Sequence, residues 1–140
     1  MKKIIIILLA VVAVISVCYP VFAEENKSSG KVIAYYFHGT SRCPTCHKLE
    51  QYSKEAIEAN FKDALASGKL EFKVINIENK GNEHYANDYQ LYTKSLILSL
   101  VADGKQIKWK NLDKIWEYVG NKQKFFEYVT SEINNFLKSL

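Results

Sequence analysis

The sequence is poor in residues that do redox or ligand chemistry. Among its 140 residues are three cysteines, two prolines and a single methionine, which is Met1. No internal repeat and no low-complexity tract occurs beyond the polar run Glu24 to Gly30, so repeat architectures are set aside. A field of one sign is missing too. The chain carries 19 basic and 15 acidic residues, a formal charge of +4, with the bases scattered singly among acids. Such a pattern is that of a solvated surface and gives no reason to expect nucleic acid or an anionic surface as partner.

What is present begins with Lys2 and Lys3, an unbroken apolar run from Ile4 to Val17, then Cys18-Tyr19-Pro20-Val21-Phe22-Ala23. A charged start, an apolar stretch and a small-residue site read as a secretory signal, with cleavage expected after Ala23. The alternative is an uncleaved anchor, since Ile4 to Ala23 is about 20 residues, just long enough to cross a bilayer; Pro20 and the short charged region favour cleavage. Lipid attachment at Cys18 is disfavoured by the bulk of Val17. The expected organisation is therefore residues 1–23 as signal, 24–30 as polar linker and 31–140 as one domain. A mature chain of about 117 residues can bury its own core. Its formal charge falls to about +2, because Lys2 and Lys3 leave with the signal. The expected location is extracytoplasmic, with membrane contact only through an uncleaved N-terminal segment.

Lys31 to Phe37 is a β-branched and aromatic run without helical spacing, the pattern of a strand buried on both faces. From Pro44 the positions Cys46, Leu49, Ser53, Ala56, Ile57, Phe61, Ala64 and Leu65 recur at three and four, which predicts a helix with a break near Asn60 and an end at Gly68. A second strand is expected over Leu70 to Ile77, with Leu70, Phe72 and Val74 on its apolar face alternating with Glu71 and Lys73, then a short surface helix within Asn82 to Tyr89, and a third, buried strand over Ser95 to Val101. Asp103-Gly104 is a hairpin signal, returning as an antiparallel edge strand over Gln106 to Lys110. Asn111 is expected to cap a turn running to Gly120. Asn121 is expected to cap a last helix with Phe126, Val129, Ile133, Phe136 and Leu140 on one face. The order β, α, β, α, β, β, α gives an α/β domain: a four-stranded mixed sheet with helices on both faces.

Cys43-Pro44-Thr45-Cys46 stands where the first strand passes into the first helix. A C-x-x-C beside a βαβ pattern reads as a redox dithiol. Unpaired backbone N–H groups and the positive end of the helix dipole there favour thiolate over thiol. Arg42, His47 and Lys48 are expected to add positive charge. Cys43 is the expected nucleophile and Cys46 the resolving thiol, one turn further in. A structural role explains the pair poorly, because closing so small a loop constrains the unfolded chain very little.

The segment Phe37-His38-Gly39-Thr40-Ser41-Arg42-Cys43-Pro44-Thr45-Cys46-His47-Lys48-Leu49-Glu50 and the stretches Trp109 to Trp116 and Gly120-Asn121-Lys122 resemble a family of small exported thioredoxin-like proteins labelled nitrophenyl compound nitroreductase subunit ArsF. The resemblance covers essentially the whole mature chain. It implies a thioredoxin-like fold with a C-x-x-C site, while nothing resembles a flavin site, so nitro-group reduction would fall to a partner. One departure concerns the loop before the third strand, which in thioredoxins carries a cis-proline facing the dithiol. Here that place is near Thr93-Lys94-Ser95. A cis bond before a non-proline residue costs about 3 kcal/mol, so a trans peptide is expected. The departure weakens the case for general disulfide exchange, strengthens that for metal, and brings Lys94 into view as a cation that could sit near the thiols.

Two other readings compete. Cys43-Pro44-Thr45-Cys46-His47 is formally a C-x-x-C-H haem-attachment pattern, for which the distal ligand would have to be His38 or His84. Two thiolates with His38 or His47 are also a copper or zinc donor set. His38 is otherwise expected beside the site in a loop, His84 on a surface helix, and Trp109 and Trp116 in packing roles. The reading taken forward is thiol–disulfide oxidoreductase or electron relay on a dithiol or disulfide protein partner, soluble or membrane-bound, with no bound cofactor required.

Overall fold

A computed structural model describes residues 30–140; the expected signal or anchor and all of the linker but Gly30 lie outside the described residues. The first strand, β1 (Lys31–His38), is central. It pairs in parallel with β2 (Leu70–Asn76) and antiparallel with β3 (Ser95–Ala102), and β4 (Lys105–Asn111) closes the other edge against β3. The order β2-β1-β3-β4 is a four-stranded mixed sheet. Parallel pairing of β1 and β2 requires a crossover, supplied by α1 (Pro44–Asn60) and the short α2 (Lys62–Ala66). The remaining helices are α3 (His84–Asp88), α4 (Ile115–Tyr118) and α5 (Lys122–Leu137). The fold is thioredoxin-like.

Side chains alternate across β1 as a pleated strand demands. Val32, Ala34 and Tyr36 enter the main core with Leu49, Ile57, Leu96, Leu98, Phe125, Val129 and Ile133, beneath α1 and α5. Phe37 points to the opposite face, where it joins Tyr89 and Ile97 against Tyr35, Tyr85, Leu91 and Trp109. Helices thus cover both faces, but unequally: four pack on the first, and only α3 with its flanking loops lies on the second. Asp103 and Gly104 have φ of 52° and 72°, the left-handed pair that a tight two-residue hairpin needs.

Several local expectations need correction. The helix break near Asn60 is where it was expected, α1 ending at Asn60 and α2 starting after Phe61, whose side chain is buried in the main core; the differences lie elsewhere. Val74 is exposed, since β2 is an edge strand with a poorly covered end. Asn111 caps nothing: it is the last residue of β4, paired with Ile97, and α4 starts at Ile115 after Lys114, with no side-chain cap. Asn121 does cap α5, accepting from the Lys124 amide at 3.1 Å. The buried stripe of α5 is Phe125, Val129, Ile133 and Phe136, with Phe126 only partly buried and Leu140 beyond the helix and exposed.

Leu98 lies in the middle of β3 with no exposed surface. Leu98→Ala is expected to lower unfolding free energy by about 3 kcal/mol, whereas Val74→Thr on the exposed edge should change it by less than about 0.5 kcal/mol. Urea titrations followed by far-UV circular dichroism separate the two; similar losses at both positions would contradict this placement of the core.

Candidate functional site

The backbone leaves β1 fully paired and enters α1 through Cys43, whose φ of −88° and ψ of 163° make it the cap residue, with Pro44 at the first helical position. A proline suits that position, since its missing N–H would have had no partner there. The Cys43 carbonyl accepts the first helical bond from His47 N at 3.1 Å. Its Sγ accepts from the Cys46 amide at 3.2 Å. Cys43 is exposed while Cys46 is 2% exposed, and the two form a disulfide with their Cα atoms 5.0 Å apart. One sulfur therefore faces solvent at a helix start and the other stands behind it, bonded to it.

Beneath the dithiol lies a polar floor that sequence reasoning missed. The hydroxyl of fully buried Tyr36 donates to the Cys46 carbonyl at 2.7 Å, tying the helix's first turn to the central strand. Burial pushes the Tyr36 phenol up to about 12, with Arg42 acting in the opposite direction through its charge and a side-chain hydrogen bond. Arg42 also pairs with Glu50, the side chains being 18% and 27% exposed. The positive charge expected beside Cys43 from Arg42 is thus paired with a carboxylate. No helical spacing could have linked the two, because Arg42 precedes the helix and reaches Glu50 from outside it.

The other side of the loop is held from the end of β2. Glu78 accepts from the Thr40 amide at 3.0 Å, and Asn76 donates to the Thr40 hydroxyl oxygen at 3.2 Å. Gly39 lets the Glu78 carboxylate come close: a Cβ there would lie 2.5 Å from one of its oxygens, so a larger residue would displace the end of that side chain. Next to this clamp, Phe37, His38, Gly39, Ile77, Glu78 and the 91–94 loop line a shallow depression of about 150 Å³. Lys94 belongs to that depression, where it and His38 act on Glu78. The peptides of the 93–95 loop are trans, as are all others among the described residues. Trp116, expected to be a packing residue, is 36% exposed and donates its indole N–H to the Lys94 carbonyl at 2.9 Å.

The remaining candidates separate. His38 is half-buried, with Nδ1 2.8 Å from the Gly39 carbonyl oxygen. His47 is exposed on the first turn of α1, and His84 pairs with Asp88 on α3. Lys48 lies 5.4 Å from the centre of the Tyr52 ring, one turn along the helix. Trp109 packs edge-on against Tyr89. Among the described residues no three His, Cys, Asp or Glu side chains are grouped to share a metal ion.

No protein-family model matches the chain. No curated protein matches either. Among solved structures it is similar to a thioredoxin of Fasciola hepatica, at 20% identity over 72% of this chain and 80% of that one, with a TM-score of 0.40. It is also similar to thioredoxin O2 of Arabidopsis thaliana in the oxidized state, at 9% identity over 69% and 76% with a TM-score of 0.41. For thioredoxin f2 of Chlamydomonas reinhardtii the identity is 14% over 71% and 84%, with a TM-score of 0.34. Likeness at that level carries no weight of its own, and the fold stands on its strand order, crossover and helix placement.

Hydrogen bonds from the Thr40 hydroxyl and amide hold the Glu78 carboxyl below its usual 4.5. A carboxyl depressed in the folded state contributes its clamp above the ordinary value and loses it as pH falls through the lowered one. The Thr40 amide resonance should therefore titrate with a midpoint under 4.5, and Glu78→Gln should flatten that titration. A midpoint at or above the ordinary value would remove the clamp from the account.

Proposed function

We propose that the protein is an exported thiol–disulfide oxidoreductase or electron relay that acts on a dithiol or disulfide of a protein partner. The observation that carries this reading is the exposed Cys43 Sγ at the start of α1, disulfide-bonded to a Cys46 shielded behind it. Only one of the two sulfurs is open to a large partner, which divides the roles without any further residue.

In the reducing direction the Cys43 thiolate attacks one sulfur of a partner disulfide. A Cys43–partner bond forms, the partner's own S–S bond breaks, and its second sulfur leaves as a thiolate that takes up a proton. Cys46 then loses its proton and attacks the Cys43 sulfur; the intramolecular disulfide forms and the partner's first sulfur is released. Two electrons have passed from the dithiol to the partner. The reverse sequence oxidises a partner dithiol. Helix-start amides support the thiolate in either direction.

Export is supported by the charged and apolar order of residues 1–23. Among the described residues no helix is long and apolar enough to cross a membrane, so attachment on this reading would run through the N-terminal segment alone. The nitroreductase label of the family that the sequence resembles fits as the activity of a partner reducing the nitro group, with this chain passing electrons through its dithiol.

Cys46→Ser is expected to accumulate disulfide-linked adducts, seen as bands on non-reducing gels that collapse on reduction, and Cys43→Ser to accumulate none. Cys43 in the reduced protein should be alkylated by iodoacetamide near neutral pH at least about tenfold faster than Cys46. Absence of adducts together with an unreactive Cys43 would end this reading.

A further inference from the structure

Arg42 is an expensive residue to place where it is. Its side chain is mostly buried, and its Nε is buried with no hydrogen-bond partner among the described residues. A buried cation with an unmet donor costs stability unless a partner compensates it, and groups held at such a cost concentrate at functional sites. Of the three basic residues flanking the dithiol, Arg42 alone is shielded: His47 and Lys48 are exposed, and Lys48 turns toward Tyr52. Its charge also pulls the Tyr36 phenol downward against the effect of burial, and that phenol is the group that holds the Cys46 carbonyl. The cation therefore sits beside the floor of the site, largely shielded from solvent, and among the described residues it is paired with one carboxylate, that of Glu50.

We propose that Glu50 sets the redox poise of the dithiol by neutralising Arg42. Glu50 is a positioning residue: it touches neither sulfur in the transfer and acts through Arg42. With the pair intact, Arg42 contributes little net field at Cys43, and the helix start alone supports the thiolate. With the carboxylate removed, the guanidinium's charge reaches the sulfur next door, the reduced form gains stability, and the disulfide becomes more oxidising. With the guanidinium removed, the carboxylate is left facing the site and the shift runs the other way. The inference rests on the thiol–disulfide reading above.

The test measures the equilibrium constant for disulfide formation in glutathione redox buffers at pH 7, which requires no partner protein. Glu50→Gln, of nearly the same shape, is expected to lower that constant by about threefold or more, the size of a charge effect across a partly screened separation. Arg42→Gln should raise it by a similar factor, and Arg42→Lys should stay near the parent value because it keeps the cation. Far-UV circular dichroism checks that each variant is folded. A role in stability alone would move both glutamine variants in the same direction or neither, and either result overturns the proposal. A parent protein whose cysteines form no reversible disulfide in these buffers would instead overturn the thiol–disulfide reading, and this inference with it.

Discussion

Passing from a fully paired central strand into a helix imposes the constraint on which this site depends. Both flanks of β1 are hydrogen-bonded to neighbours, and the chain must next enter a helix whose first N–H groups have no backbone partner. Cys43 stands at that change of geometry. Its extended backbone ends the loop, its carbonyl starts the helical ladder, and its sulfur meets the Cys46 amide. Helical geometry then places the residue three further on above the core, so that Cys46 is covered while Cys43 is not. The difference between the two sulfurs follows from the cap, not from any special side chain nearby.

The loop that carries Cys43 is held from three directions. Glu78 and Asn76 hold Thr40 from the end of β2, Tyr36 holds the first helical turn from β1, and Arg42 meets Glu50 on α1. The 93–95 loop lies beside His38 and Gly39 and contains no proline. Its Lys94 carbonyl is bonded by the Trp116 indole from α4. A side chain far along the sequence thus ties the loop to α4 while its peptides stay trans.

The parts of the molecule that could be read from sequence are those governed by neighbours along the chain. β-branched and aromatic runs located all four strands, Asp103-Gly104 gave the hairpin, and Pro44 after Cys43 marked where α1 begins. Errors arose where tertiary position decides. Val74 fits a strand pattern equally well at the edge or in the middle of a sheet, and only the strand order exposes it. Phe125 and Phe126 both suit an apolar face, and the phase of α5 from its Asn121 cap selects Phe125. Asn111 carries a side chain suited to capping, yet pairing with Ile97 keeps it in the sheet. The same division holds at the site. Cys43 and Cys46 were visible as a spaced pair, whereas Tyr36, Glu50 and Glu78 come to it by contacts 10, 8 and 38 residues apart, which no local period encodes.

The placement of the dithiol also separates redox change from folding. A bridge that skips two residues removes little freedom from the unfolded chain, and the main core is assembled from β1, β3, α1 and α5 with Leu49, Ile57, Leu98, Phe125 and Ile133 wholly buried. Cys46 is buried but belongs to neither apolar cluster, and Cys43 is exposed. The bridge therefore stands apart from the apolar clusters, and in this disulfide-bonded form the first turn of α1 is tethered to β1 through Tyr36. The bridge thus lies at the edge of the scaffold that positions it, apart from the apolar contacts that hold the domain together.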